Sequence, residues 1–147
     1  MRRAGIVVGA AIIALLLFSP GAANASGVVL GGVVYGDPSG VGWGTARPGK
    51  ISNGNDLGSV IGEIHWSSWG GAVARGSGSQ FIFKAKGGGY YPHPVVARLK
   101  ATSIGRCEGR RAYLKLLVRE PKKPGGPLGA WHSLSGPNTI CEVPSLP

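Results

Sequence analysis

"VVARLKA", residues 95–101, sets Val95, Ala97, Leu99 and Ala101 against Val96, Arg98 and Lys100. A period of two is what a β-strand with one buried face requires, because successive side chains point to opposite sides. The same reading extends to "RRAYLKLLVRE" (110–120), where Ala112, Leu114, Leu116 and Val118 alternate with Tyr113, Lys115, Leu117 and Arg119. Upstream, "QFIFKAK" (80–86) sets Phe81, Phe83 and Ala85 against Gln80, Ile82, Lys84 and Lys86, and "GGG" (87–89) follows as a turn. In residues 60–66, Val60, Gly62, Ile64 and Trp66 are expected on one face, with Glu63 and His65 on the other. Two short final strands are expected in "AWHSL" (130–134) and "NTICEV" (138–143), after the Pro- and Gly-rich loop "PKKPGGPLG" (121–129). No stretch of residues 26–147 carries a convincing helical stripe. Five or six strands at this spacing predict an all-β fold, a small antiparallel sandwich or partly open barrel.

"HWSSWGGAVARGSG" (65–78) interrupts the pattern. Residues three apart on a regular strand face opposite ways, so Trp66 and Trp69 cannot both reach the core unless a bulge at Ser67-Ser68 resets the alternation. The small residues Gly70, Ala72, Ala74, Gly76 and Gly78 would then share a face and leave room for bulky side chains such as Phe81, Phe83 or Tyr113. The other reading exposes an indole, which can stack on sugar rings or lipid headgroups while Arg75 adds a charge contact.

Three segments are expected: residues 1–25, 26–58 and 59–147. The first opens with Arg2 and Arg3, continues through a short apolar run at 6–18 and ends in Ala23-Asn24-Ala25. That is the plan of a secretory signal peptide cut near Ala25, and the run is too short to span a bilayer comfortably, which argues against a retained anchor. Residues 26–58 hold ten glycines and two prolines, predicting a loosely held segment with one short strand at 28–35. It would serve as a tether or as a strand completing the sheet. The remainder is the β domain.

Cys107 and Cys141 both fall in the exported part, where an even cysteine count predicts a disulfide. Free thiols or a metal site would need more ligands than the sequence offers. Without Arg2 and Arg3, fourteen basic residues face six acidic ones, a net charge of +8. Such a balance attracts anionic partners, an envelope polymer or another extracellular ligand, with nucleic acid bound only non-specifically.

The run from "IHWSSWGGAVARGSG" through "YYPHPVVARLKA" and "RCEGRRAYLKLLV" to the late Trp and Cys resembles a class of small secreted β proteins of actinobacteria. The likeness covers residues 61–141 and rests on Trp66, Trp69, Ala74, Gly76, Gly78, Cys107, Gly109 and Tyr113. Similar proteins carry two more cysteines in the turn before the tyrosine strand, where this chain has "KAKGGGYYPH". The resemblance implies an all-β secreted domain and no reaction.

Enzymatic chemistry finds little purchase. "GSGSQ" lacks the frame of a nucleophile elbow, and His65, His93 and His132 show no metal-ligand spacing. The glycine-rich "GGVVYG" and "GGG" join no strand to a helix N-terminus, so neither holds a phosphate by that device. A small secreted hydrolase or inhibitor using Glu63 and His65 is the alternative to a non-enzymatic module without cofactor. The residues expected to contact a ligand or anion are Trp66, Trp69, Arg75, Lys84, Lys86, Arg98, Lys100, Arg106, Arg110 and Arg111, with Lys122 and Lys123 extending the cluster at the Cys-x-Gly turn. Pairing in order would make these a cationic face punctuated by Tyr90 and Tyr91.

Overall fold

The computed structural model describes residues 27–142 apart from Asp37 and Asn55. The signal-peptide reading falls on residues outside this range. The expected all-β class is what the chain forms: a seven-stranded sheet curled into a half-barrel. Its path is β1 (Val29–Leu30), β6 (Arg110–Arg119), β5 (Val95–Cys107), β4 (Ala74–Gln80), β3 (Val60–Ser68) and β2 (Ile51–Ser52), with β7 (His132–Ser133) also on β6. Every pairing of these strands is antiparallel except β1 with β6, which is parallel, so the sheet is predominantly antiparallel. β1 and β7 divide the outer edge of β6, β1 beside Ala112 and Tyr113 and β7 beside Leu117 and Val118.

The long hairpin β5–β6 keeps one register throughout, closed by Glu108 and Gly109, both at positive φ. Left-handed values at both central residues make the tight turn whose twist matches paired strands. On β5, Val95, Ala97, Leu99 and Ala101 are buried as expected. β6 departs from its expected face: Tyr113, Leu116 and Val118 enter the main core, while Ala112 and Leu114 pack with the disulfide in a smaller cluster. Opposite this switch, Ser103 takes φ 59° on β5, and beyond it Cys107 joins the disulfide cluster. Two strands therefore serve two cores.

β3 carries two register shifts, between Gly62 and His65 and between Trp66 and Ser68. The first, with Glu63 at φ 49°, was not foreseen. It moves Ile61 rather than Val60 into the core ahead of Ile64. The second is the bulge that both tryptophans need, and Trp66 and Trp69 pack together against the core at a centroid distance of 4.6 Å. The room for them comes from β4. A Cβ on Gly76 would lie 3.0 Å from the Trp66 ring, so the small residues seat this indole rather than Phe81 or Phe83.

Three further expectations change. The strand over 80–86 stops at Gln80, because Gly87, Gly88 and Gly89 all take positive φ and turn the chain back to bridge Phe83 to Tyr90. Phe83 is exposed and stacks edge-on with Tyr90, and Ile82 is buried instead. Residues 138–142 form turns rather than a strand, fixed by Ile140, whose N–H donates to the Leu114 carbonyl and whose carbonyl accepts from Gly32 N–H.

The glycine-rich segment is not a tether outside the fold. The strand expected at 28–35 is confined to Val29–Leu30, a helical turn, α1, follows at Val33–Gly36, and β2 of the same segment pairs with β3. Val28, Leu30, Tyr35, Trp43 and Ile51 from this segment all belong to the main core. Trp43 donates its indole N–H to the Ser52 carbonyl and meets Tyr35 edge-on at 4.8 Å. Glycine works here by its size: a Cβ on Gly32 would fall 2.7 Å from the Cys107 sulfur. The disulfide joins Cys107 to Cys141 with Cα atoms 5.5 Å apart.

Candidate functional site

The expected contact residues separate into four places. Trp66 and Trp69 turn inward. The Trp66 indole donates to the Pro48 carbonyl at 3.0 Å and that of Trp69 to the Val28 carbonyl at 2.8 Å. Trp69 also meets Tyr113 edge-on, and the Tyr113 hydroxyl donates to Gly71 and accepts from Gly70 N–H. Both indole donors are spent on tying β3 to the glycine-rich segment, which is an anchoring arrangement.

Arg106, Arg110 and Arg111 gather at the β5–β6 turn. Arg106 donates to the Gly109 carbonyl and Arg110 reaches the Gly44 carbonyl at 2.8 Å, so two of the three guanidiniums hold backbone. The Glu108 carboxylate beside them accepts from Val33 and Val34 N–H, the free donors at the start of α1.

Lys84 and Lys86 do not share the strand face, because the strand ends at Gln80 and both lie in the hairpin that follows. They line a cleft with Lys122 and Lys123 between two loops. This corrects the placement of Lys122 and Lys123 beside the Cys-x-Gly turn: they follow the other end of β6, roughly 30 Å away at about 3.3 Å per strand residue. Tyr90 is likewise off the basic face. Its hydroxyl donates to the Asp56 carboxylate, and that bond, with some desolvation, raises its pKa above the ordinary tyrosine value.

Arg75, Arg98 and Lys100 remain on the outer side of β4 and β5, and the register joins them to residues not singled out beforehand. Arg75 sits directly opposite Lys100, and Arg98 directly opposite Arg119. Like charges directly opposite on a sheet repel. Among the described residues the one ion pair is His132 with Glu120 at 3.0 Å, so no carboxylate relieves either pair. Trp131 lies against them instead, its ring centroid 4.8 Å from the Lys100 ammonium and 4.6 Å from the Arg119 guanidinium. A depression of about 270 Å³ opens here, with His65, Ser77, Arg75, Arg98, Arg119 and Trp131 in its lining. Trp131 and Arg119 were missed because their role depends on register. An aromatic just after a Pro- and Gly-rich loop in a basic chain was the available hint.

The Glu63 carboxylate accepts from Ser79 Oγ at 2.8 Å, and no hydrogen bond joins it to His65 among the described residues. No three His, Cys, Asp or Glu side chains among the described residues are grouped to hold a metal ion. No helix among them is long and apolar enough to cross a membrane. What the geometry defines is an all-β, single-disulfide protein with opposed cations on its outer sheet face. Comparison with protein families, with curated proteins and with solved structures finds no match for this chain.

Proposed function

We propose that this protein is an exported, non-enzymatic binding module whose outer sheet face takes an anionic polymer of the cell envelope. The observation that carries the reading is the pair of cation–cation juxtapositions, Arg75 with Lys100 and Arg98 with Arg119, flanked by Trp131 and unrelieved by any carboxylate among the described residues. A phosphate-bearing chain laid across β4, β5 and β6 would neutralise both pairs at once. Export is supported by the leader-like residues 1–25 and by a disulfide, a bond that persists in oxidising compartments. The same cations would hold nucleic acid through its phosphates, contacts that carry no sequence information.

The test is retention on heparin and on immobilised polyglycerol phosphate across a salt series. The protein is expected to be retained at low salt and released as salt rises, since the attraction is screened and counterions are displaced. The double variant R98Q/R119Q is expected to elute earlier on both matrices. Indifference of the native protein to both, or unchanged retention of the variant, would overturn the reading.

A further inference from the structure

Lys84 and Lys86, expected on the strand face, and Lys122 and Lys123, expected beside the Cys-x-Gly turn, instead line a separate cleft, and its chemistry differs from that of the polymer face. It has a volume of about 890 Å³ and takes Lys84 and Lys86 from one loop and Lys122 and Lys123 from another. No acidic residue lines it. Between the lysines the walls are apolar or aromatic, from Tyr91, Pro127, Leu128 and Ala130.

Each wall is a small hairpin with its own hydrogen bonds. In the first, Lys84 N–H donates to the Gly89 carbonyl and Tyr91 N–H to that of Ile82. In the second, Gly126 N–H donates to Lys123 and Gly129 N–H to Glu120, with Pro121 bridged to Leu128. The carboxylate nearest in sequence, Glu120, is held by His132. None of the four lysines is in an ion pair among the described residues, although Lys122 also borders the adjoining pocket lined by Asp56 and Glu120.

We infer that this cleft binds a single small amphiphile: an anionic phosphate head among the four ammonium groups, with an aliphatic body on Tyr91, Pro127, Leu128 and Ala130. Charge complementarity selects the head. Concavity and apolar walls select a body that a free phosphate or a hydrophilic polymer lacks, and the volume suits one ligand rather than a flat bilayer. The site is separate from the proposed polymer face and stands whether or not that reading holds.

Calorimetric titration with octyl phosphate, kept below its micelle-forming concentration, tests the assignment. Saturable binding is expected, with inorganic phosphate and octyl glucoside each binding at least tenfold more weakly. Replacing the four lysines (K84Q/K86Q/K122Q/K123Q) should weaken octyl phosphate binding by about tenfold or more, the scale of losing one charged hydrogen bond. The exposed-side substitution L128N should weaken it as well, whereas R98Q/R119Q should leave it unchanged. Equal affinity for inorganic phosphate would reduce the cleft to a charge cluster and overturn the inference. So would binding to anionic phospholipid vesicles without binding to octyl phosphate, or insensitivity to the lysine replacements.

Discussion

Arg98 and Arg119 face each other across the β5–β6 ladder, two guanidinium groups of like charge. A cross-strand pair of like charges costs stability where opposite charges or polar partners would contribute about 0.2–1 kcal/mol. Arg98→Thr, which keeps a strand-forming residue on an exposed site, is therefore expected to stabilise the fold by a few tenths of a kcal/mol. Denaturant unfolding would show this as a higher midpoint at low salt, a gain that shrinks as salt screens the native pair. A lower midpoint at low salt would mean the opposed cations are not strained. Tyr90 offers a second residue-level test. Its phenol, bonded to Asp56, ionises above the ordinary value of 10.0, because a phenolate beside the carboxylate is repelled and loses the bond. Folding thus favours the protonated phenol. The stabilisation is fully present below the unfolded value and is lost as pH climbs through the raised one. In D56N the Tyr90 pKa is expected to fall towards 10, read by NMR of the ring carbon bearing the hydroxyl.

β3 shows how an element is specified by irregularity. With a strict period of two, Trp66 and Trp69 would lie on opposite faces, and the register shift between Trp66 and Ser68 removes the conflict. Deleting Ser67 takes out the extra residue and leaves Trp66 and Trp69 two positions apart, on one face of a regular strand, so both indoles should keep their places. Deleting Ser67 and Ser68 together makes the tryptophans neighbours on opposite faces, so Trp69 should swing off the core and lose its bond to the Val28 carbonyl. In that double deletion acrylamide quenching of tryptophan emission should rise and the unfolding midpoint should fall. Unchanged quenching would place the reset elsewhere. The period-two signal revealed β5 directly, since its inner positions from Val95 to Ala101 are all apolar and its outer ones mostly polar. It failed over 80–86. There the alternation of Phe81 and Phe83 was genuine, but three left-handed glycines downstream and the Tyr90–Asp56 bond redirected the chain. It also failed on β6, where Ala112 and Leu114 are apolar like Leu116 and Val118 but serve the disulfide cluster instead. Hydropathy records that a residue is buried, not against what.

At the scale of the molecule, the disulfide closes a loop of 34 residues and holds the C-terminal segment, with Ile140, against β6 and the glycine-rich stretch. Restricting the unfolded chain over that length contributes roughly 3–4 kcal/mol in the loop-entropy account. The double variant C107S/C141S is expected to lose about that much in denaturant unfolding, with tryptophan emission of the folded form preserved. A loss well under 1 kcal/mol would show that packing of Ile140 alone suffices. The sequence by itself determined the strand class, the cysteine partnership and the excess of positive charge, because alternation, composition and residue count are local or additive properties. Only the tertiary structure decided that a segment rich in glycine supplies core aromatics, where close approach matters more than backbone entropy. It alone decided which cations stand opposite one another and which border a cleft, because register and loop direction are set by contacts between residues far apart in the chain.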